Sequence, residues 1–487
     1  MMRSKYAHLS KNVLLFALSG FLPKLLSFVL IPLYTSRLTT AEYGKYDLML
    51  TTVQLLLPIF TLGIQDAALR FSLDSRYDSA QVFTVALKCS LLGTLVVTVG
   101  AWMGYRFGFF ESPSVFVFTA LTFGVNAVNN VCTLFCRGIG KTWAIVWGSV
   151  VNSAVTLGAC ILFLLVFDWG LNGYFAANVL GGAASVGVLF FGAELWRYVT
   201  GRTGKRLFKD MVSFSFPLIF SGIAWWVNNA SDRYVLAELL GVAASGLYAV
   251  AYKIPNLLSV FQNVFAQAWS ISAVKEFDRE DRDGFIGTTY ELMQFAMLAL
   301  CSLLIVLNVP LAKLLYAGEF FGAWQYVPCL LLAVVFHAMS LFIGSIFTAV
   351  RDTKTLAFST VLGAAVNVVG NLAFIPLWGG FGAAVATALG YGVTFSMRRG
   401  ILRRHIRLRV TMGRNILAYL LVVMQISLSP LEGWGIFWQA VLFVGILWLY
   451  KKEFVFVLSK GKMILSDLVR SRKRLPAMGA EGEVERE

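Results

Sequence analysis

Residues 44–65 read GKYDLMLTTVQLLLPIFTLGIQ, and residues 246–267, which lie 202 positions later, read GLYAVAYKIPNLLSVFQNVFAQ. Both stretches are largely apolar, and both carry polar residues at matched places. Thr51, Gln54, Thr61 and Gln65 in the first fall on Lys253, Asn256, Asn263 and Gln267 in the second. Steps of 3, 7 and 4 residues keep each set on one helical face. A polar stripe on a membrane helix faces protein or water rather than lipid. The pair therefore predicts two copies of one helical unit, each turning the same stripe inward.

A second match joins the ends of the two halves. Arg137 and Lys141 open one helix as Arg351 and Lys354 open another, with Asn152 and Asn367 a few turns inside. Beyond them, Trp169-Gly170 with Gly173, Ala177 and Gly181 corresponds to Trp378-Gly379 with Gly382, Ala386 and Gly390 at a constant offset of 209. Small residues at four-residue spacing let helix backbones approach closely, so these read first as packing seams.

The sequence around the repeat is apolar throughout. Of 487 residues, 58% are hydrophobic and 14% charged, and the mean hydropathy is +0.73. A soluble domain is nearer 45–50% apolar and about 25% charged, so neither a water-soluble globule nor a disordered chain fits. At about 35 residues per span and connection, with about 20 apolar residues needed to cross the hydrocarbon, the chain holds about fourteen helices. The predicted spans are 11–34, 46–70, 81–107, 114–136, 142–167, 170–196, 211–236, 244–272, 285–309, 324–350, 355–377, 380–398, 415–430 and 434–450.

The expected fold class is an all-α polytopic membrane protein. Two parallel six-helix repeats surround a central cavity, and two C-terminal helices are added. The N-lobe covers 1–200 and the C-lobe 201–400. Helices thirteen and fourteen cover 401–450, and a cytoplasmic tail covers 451–487.

Orientation follows from the Lys and Arg residues. Arg3, Lys5 and Lys11, Arg76, Arg137 with Lys141, Arg197 through Lys209, Lys275 through Arg282, Arg351 with Lys354, and Arg398 through Arg414 gather on one side. The other side carries Arg37, Lys45, Arg106 and Lys313. We refer to these as the basic end and the bare end. The positive-inside rule places the basic end, and both termini, in the cytoplasm. The net charge of +15 is then a topology signal rather than a mark of nucleic-acid binding.

The first apolar stretch is too long for a cleaved signal, carries Lys24 in its middle and lacks a small-residue cleavage site. It reads as an uncleaved anchor. Six cysteines lie inside hydrophobic spans; Cys132 and Cys136, one helical turn apart, read as helix packing rather than a metal site or disulfide.

The run from Leu18-Ser19-Gly20 through Pro23-Lys24 to Pro32-Leu33 leads into Ser36-Arg37-Leu38-Thr39-Thr40-Ala41-Glu42-Tyr43-Gly44-Lys45-Tyr46. Gly63-Ile64-Gln65-Asp66 then runs on to Arg70-Phe71. Together with Ala251-Tyr252-Lys253-Ile254-Pro255 and the doubled six-helix pattern, this order resembles the polysaccharide-repeat flippases. These are the O-antigen and capsule transporters of the multidrug/oligosaccharidyl-lipid/polysaccharide superfamily. The resemblance implies export of an undecaprenyl-pyrophosphate-linked oligosaccharide across a bacterial cytoplasmic membrane by alternating access. It implies a transporter rather than an enzyme.

A charge at the centre of a membrane helix costs about 2.5–3.5 kcal/mol on insertion scales, so each one needs an explanation. Lys24 lies about 20 Å into its span, too deep for easy snorkelling, and Lys253 is embedded in the polar stripe. Both are expected to face the cavity and attract the diphosphate of the substrate. Lys88 is close enough to the basic end to snorkel. Arg70, four residues after Asp66, suits either an intrahelical ion pair or substrate contact, and Arg233 lies near the bare end. Trp226, Asn229 and Arg233 share one helical face, and Trp225, Asn229 and Asp232 share the next.

Indole rings stack on sugar faces while amides bond their hydroxyls, so this set suits a sugar-handling surface; the alternative is an interfacial Trp pair at the bilayer rim. The candidate substrate residues are thus Lys24, Lys253, Arg233, Arg70, Arg37, Trp226, Asn229, Asn256, Asn263, Gln267 and Gln54.

No phosphate-binding loop is intact: Gly140-Lys141-Thr142 resembles the end of one, but the earlier glycine position holds Phe135. No cofactor or metal is expected beyond a coupling proton or sodium ion. Asp66 and Asp232 are favoured over Glu291 to bind it.

The basic first part of the tail is expected to rest on anionic membrane lipid. Binding to a polysaccharide polymerase or glycosyltransferase partner is open, and the chain is expected to act as a monomer. Two other functions compete. Multidrug cation export on the same fold wants an acidic cavity, and a membrane polymerase or glycosyltransferase wants acids or bases in large extramembrane loops.

Overall fold

The computed structural model describes residues 28–108, 112–201, 203–275, 277–408, 410–429 and 434–459. Lys24 and most of the first expected span lie outside these residues. Among the described residues the protein is helical throughout, with no strand.

The first half contains α1 (Thr40–Phe60), α2 (Ile64–Ser72), α3 (Ser79–Arg106), α4 (Pro113–Gly138), α5 (Thr142–Val166) and α6 (Gly170–Gly192). The second contains α7 (Lys205–Leu240), α8 (Val242–Ala251), α9 (Lys253–Lys275), α10 (Phe285–Val306), α11 (Asn308–Leu315), α12 (Val327–Ala349) and α13 (Thr353–Leu402). Then come α14 (Met412–Leu428) and α15 (Trp434–Leu449). Each expected span from the second onward coincides with a helix, a helix pair or one arm of α13. Among the described residues, however, only eight helices are long and apolar enough to cross a membrane, or nine if α1 and α2, bent by 57°, form one span. The first expected span lies mostly outside the described residues, and the rest of the difference from fourteen comes from short helices and from breaks, the longest case being α13, whose 50 residues are interrupted at Gly379.

Local chemistry sets several helix starts. Thr39 accepts from the Glu42 N–H at 3.2 Å while the Glu42 carboxylate accepts from the Thr39 N–H at 2.8 Å, a reciprocal cap that fixes the first turn of α1. Asp78 caps α3 and Asp352 caps α13 through their carboxylates. The repeat is also written in the backbone. Gly170 and Gly379, equivalent at offset 209, take φ of +51° and +58°, the positive range that glycine occupies freely and L side chains rarely adopt.

The glycine seams close as the spacing predicts. A Cβ on Gly181 would stand 2.8 Å from the Asn152 carbonyl oxygen, and one on its counterpart Gly390 would stand 2.9 Å from Asn367 Cβ. Helices α5 and α6, and the two arms of α13, thus pack through matching residues.

Three buried clusters hold the molecule. The largest joins Tyr43, Tyr46 and Tyr174 of the first half to Tyr248, Tyr316 and Phe320 of the second. A second gathers Ile64, Phe83, Phe135 and both Cys132 and Cys136, and takes in Leu207 and Met211 from the start of α7. Helix α7 therefore leans on the first half at the basic end. The smallest joins Val53, Val97, Phe123 and Ala127 within the first half.

Candidate functional site

Helices α1 and α8 cross at Gly44 and Gly246, the glycines that open the repeat. A Cβ on Gly44 would run into the Val242 carbonyl oxygen and stand 3.1 Å from the Gly246 nitrogen. One on Gly246 would meet the Thr40 carbonyl oxygen and stand 2.7 Å from the Gly44 nitrogen. The two halves therefore touch backbone to backbone through equivalent residues, and only glycine permits it. The crossing sets α1 against α7 and α8 and brings charged groups from three helices together.

Arg233 Nε of α7 lies 3.1 Å from Asp47 Oδ2 of α1, with side-chain exposures of 17% and 13%. The guanidinium carbon stands 5.4 Å from the centre of the Tyr252 ring. The Tyr252 hydroxyl donates to Asp232 Oδ2 at 3.3 Å, and Asp232 Oδ1 accepts the Arg233 N–H at 2.9 Å. Lys253 Nζ lies 5.7 Å from the centre of the Tyr43 ring, which stacks on Tyr34 at 4.9 Å and meets the edge of Phe320 at 6.0 Å. Such cation–ring contacts are worth about 0.5–2 kcal/mol, the larger values applying where water is excluded. The described part of the site thus holds two cations and two carboxylates, balanced in charge rather than uniformly cationic.

The other expected residues divide around this centre. Trp226 is half-buried; its Nε1–H donates to the Thr51 carbonyl at 2.7 Å, and its ring lies 5.3 Å from Tyr234. Tyr234 in turn bonds the Thr52 hydroxyl at 2.5 Å, so the indole fastens α7 to α1 and its only donor is engaged. Trp225 is 60% exposed. Asn229 donates to the Trp225 carbonyl at 2.7 Å and accepts from the Tyr391 hydroxyl at 3.3 Å; the Tyr391 ring lies 4.6 Å from that of His337.

In the stripe, Thr51 and Thr61 are buried, whereas Gln54, Asn256 and Asn263 are exposed; the Gln267 side chain lies outside the described residues. Arg37 is exposed in the turn before α1, and Arg70 is exposed in the last turn of α2, so the helix pair separates them. The Asp66–Arg70 ion pair suggested by spacing does not form among the described residues, and Asp66 is half-buried. Glu291 is tied to the protein: it accepts from the Thr411 N–H at 2.8 Å and pairs with Arg414, which also meets Glu453 at 2.9 Å.

Asp47, Tyr43, Tyr252, Tyr391 and His337 are the members that sequence reading missed. Asp47 carried a usable signal: it precedes Thr51 by four residues and so extends the same stripe. Its repeat counterpart is Ala249, which hides it from any search for matched polar positions.

Among solved structures, the lipid II flippase MurJ in an inward closed conformation matches with a TM-score of 0.70 at 13% identity, over 91% of this chain and 99% of that one. An inward-facing multidrug resistance MATE family transporter of the MOP superfamily matches at 0.60 with 14% identity, over 84% and 96%. A MOP superfamily transporter from Pyrococcus furiosus, described by the reverse polarity of its binding pocket, matches at 0.55 with 14% identity, over 85% and 94%. At these identities the likeness is one of fold. No curated protein matches the chain in sequence. The model of the family described as polysaccharide biosynthesis protein matches residues 9–271, more than half of the 487-residue chain. The chain, an all-helical multi-pass membrane protein, belongs to the polysaccharide biosynthesis protein family.

Proposed function

We propose that this chain is a flippase that carries an undecaprenyl-pyrophosphate-linked oligosaccharide across a bacterial cytoplasmic membrane by alternating access. The observation that carries the reading is the cluster of Arg233, Lys253, Asp47 and Asp232 at the junction of the two halves. Ions held inside a membrane protein are costly and mark a substrate or ion path. Arg233 and Lys253 supply the two charges that a diphosphate needs, with Lys24 as the third. When the headgroup arrives, it competes with Asp47 for Arg233. Release of Asp47 then loosens the contact between α1 and α7, which couples binding to the separation of the halves.

The N-lobe (1–200) and C-lobe (201–400) are the bodies that rock, and the basic end with both termini faces the cytoplasm. The coupling proton or sodium ion is assigned to Asp66 or Asp232, and the chain works as a monomer. Asn256, Asn263 and Gln54, which are exposed, supply amides for sugar hydroxyls. Cation export fits less well at the junction of the halves, because it needs an unengaged carboxylate there. Asp47 is held by Arg233, and Asp232 accepts from Tyr252 and the Arg233 N–H.

The test uses the purified full chain in vesicles, with a fluorescent polyprenyl-diphosphate oligosaccharide in the starting leaflet. The wild type moves the label to the opposite leaflet, and Arg233→Ala and Lys253→Ala each lose most of that movement. Wild-type movement in both variants, or chain growth of the sugar without movement, overturns the proposal.

A further inference from the structure

A groove of about 470 Å³ opens between α12, α13 and α14, and its lining includes none of Arg233, Lys253, Asp47 and Asp232. This is within the range of roughly 300–1,000 Å³ typical of small-ligand sites. Its walls are apolar: Phe336 stacks on Tyr419 at 5.1 Å and on Phe395 at 5.9 Å, and Ile416, Leu420 and Val423 of α14 form the opposite side.

The mouth at the basic end is built from Arg399 in the last turn of α13 and Arg403 just after its end; both also line an adjoining pocket with Arg407. Neither Arg399 nor Arg403 pairs with a carboxylate among the described residues. Arg399 donates to the Tyr290 hydroxyl at 2.7 Å and to the Met412 sulfur at 3.0 Å, and Arg403 donates to the same sulfur at 3.4 Å. A thioether is a weak acceptor, so most of the donor capacity of two guanidinium groups is unspent.

The neighbouring carboxylates are engaged elsewhere: Glu291 by Arg414, Glu280 by Arg407 at 3.5 Å and Asp352 by His405 at 3.2 Å. Arg398 adds to the imbalance. It is 6% exposed and, among the described residues, bonded only to neutral acceptors, the Ser359 hydroxyl at 2.9 Å, the Ser340 carbonyl at 2.8 Å and the Thr360 hydroxyl at 2.8 Å among them.

An apolar slot between membrane helices with unpaired cations at one end matches a molecule that is anionic at one end and apolar along its length. We propose that this groove is a resident site for an anionic phospholipid of the bilayer. Its phosphate is held by Arg399 and Arg403, and an acyl chain lies along α14. Phosphate and guanidinium make paired charge-assisted bonds, stronger than either makes with a thioether. The bound lipid bridges α13 to α14, a helix outside the repeat.

The experiment uses the full chain purified in neutral detergent and stripped of lipid. Thermal unfolding is followed on adding phosphatidylglycerol, phosphatidylcholine or inorganic phosphate, and native mass spectrometry counts the lipid retained. Phosphatidylglycerol is expected to raise the unfolding temperature and to be retained; phosphatidylcholine and inorganic phosphate are not. The double variant Arg399→Gln/Arg403→Gln should bind phosphatidylglycerol at least about tenfold more weakly. Ser396→Trp, which fills the groove and keeps both guanidinium groups, should also lose the shift, and it decides the matter if the double variant does not fold. An undiminished phosphatidylglycerol shift in Ser396→Trp, an equal shift from phosphatidylcholine, or a shift from inorganic phosphate alone overturns the proposal.

Discussion

The second helix of each half starts in the same register and breaks in a different place. In the first half α1 runs to Phe60, and the chain then bends by 57° where Leu62 and Gly63 take φ of +56° and +59°. Their counterparts are Val264 and Phe265, which do not take positive φ cheaply, and α9 continues through them. The second half is interrupted instead at Tyr252, just before Pro255, which has no N–H to bond the Ala251 carbonyl. The common register thus decides which residues face inward, while glycine and proline decide where each helix yields. One consequence is chemical. Thr51 sits in unbroken helix with its hydroxyl bonded to the Asp47 carbonyl at 2.9 Å, whereas Lys253, its counterpart, opens a new helix and reaches across to Tyr43.

The two halves also differ in charge at one matched position, Asp47 against Ala249. Making them alike gives the largest expected effect. Asp47→Ala strands Arg233 and should destabilise the protein by about 3–5 kcal/mol, read as a fall in the thermal unfolding midpoint. Adding Arg233→Met should restore much of it, and no restoration would mean that the pair is not coupled. The matched glycines come next: Gly44→Leu and Gly246→Leu each overpack the crossing and should cost about 1–3 kcal/mol. Equal sensitivity sharpens the equivalence of the halves, and a tolerant Gly246→Leu breaks it.

Smaller still is Gly63→Val, about 1–2 kcal/mol for a branched side chain at positive φ. Phe265→Val at the matched position carries no such backbone cost, so limited proteolysis should find loosening in the first half alone. The least effect belongs to Trp226→Phe, which removes the bond to the Thr51 carbonyl and should cost about 1 kcal/mol. A larger loss of transport than of stability in that variant would return Trp226 to the sugar surface.

The repeat was legible because it rests on residues whose chemistry has few substitutes: Gly170 and Gly379 with positive φ, and Gly181 and Gly390 against Asn152 and Asn367. The long apolar helices were legible for a related reason, since hydrocarbon tolerates only such helices, whereas the count of fourteen spans was not matched among the described residues. The breaks were not, because Pro217 lies inside a continuous α7 while Pro58 precedes the bend without sitting at it. Within the site, Arg233 and Lys253 were visible as misplaced charges, but their partners were not. Tyr43, Tyr252 and Tyr391 read as ordinary membrane aromatics until the fold sets them beside a cation or an amide. Arg398 was hidden in another way, by ending a predicted span and opening a basic run while its own side chain is buried.

The central claim is that the cations at the junction of the halves receive the diphosphate of the substrate. Its most direct measurement is the rate of leaflet-to-leaflet movement of labelled polyprenyl-diphosphate oligosaccharide by charge-preserving and charge-removing variants at Lys253, with equal amounts in the vesicles. Lys253→Arg is predicted to keep a substantial part of the wild-type rate and Lys253→Met to fall at least about tenfold below it. Equal rates for the wild type and Lys253→Met would contradict the account.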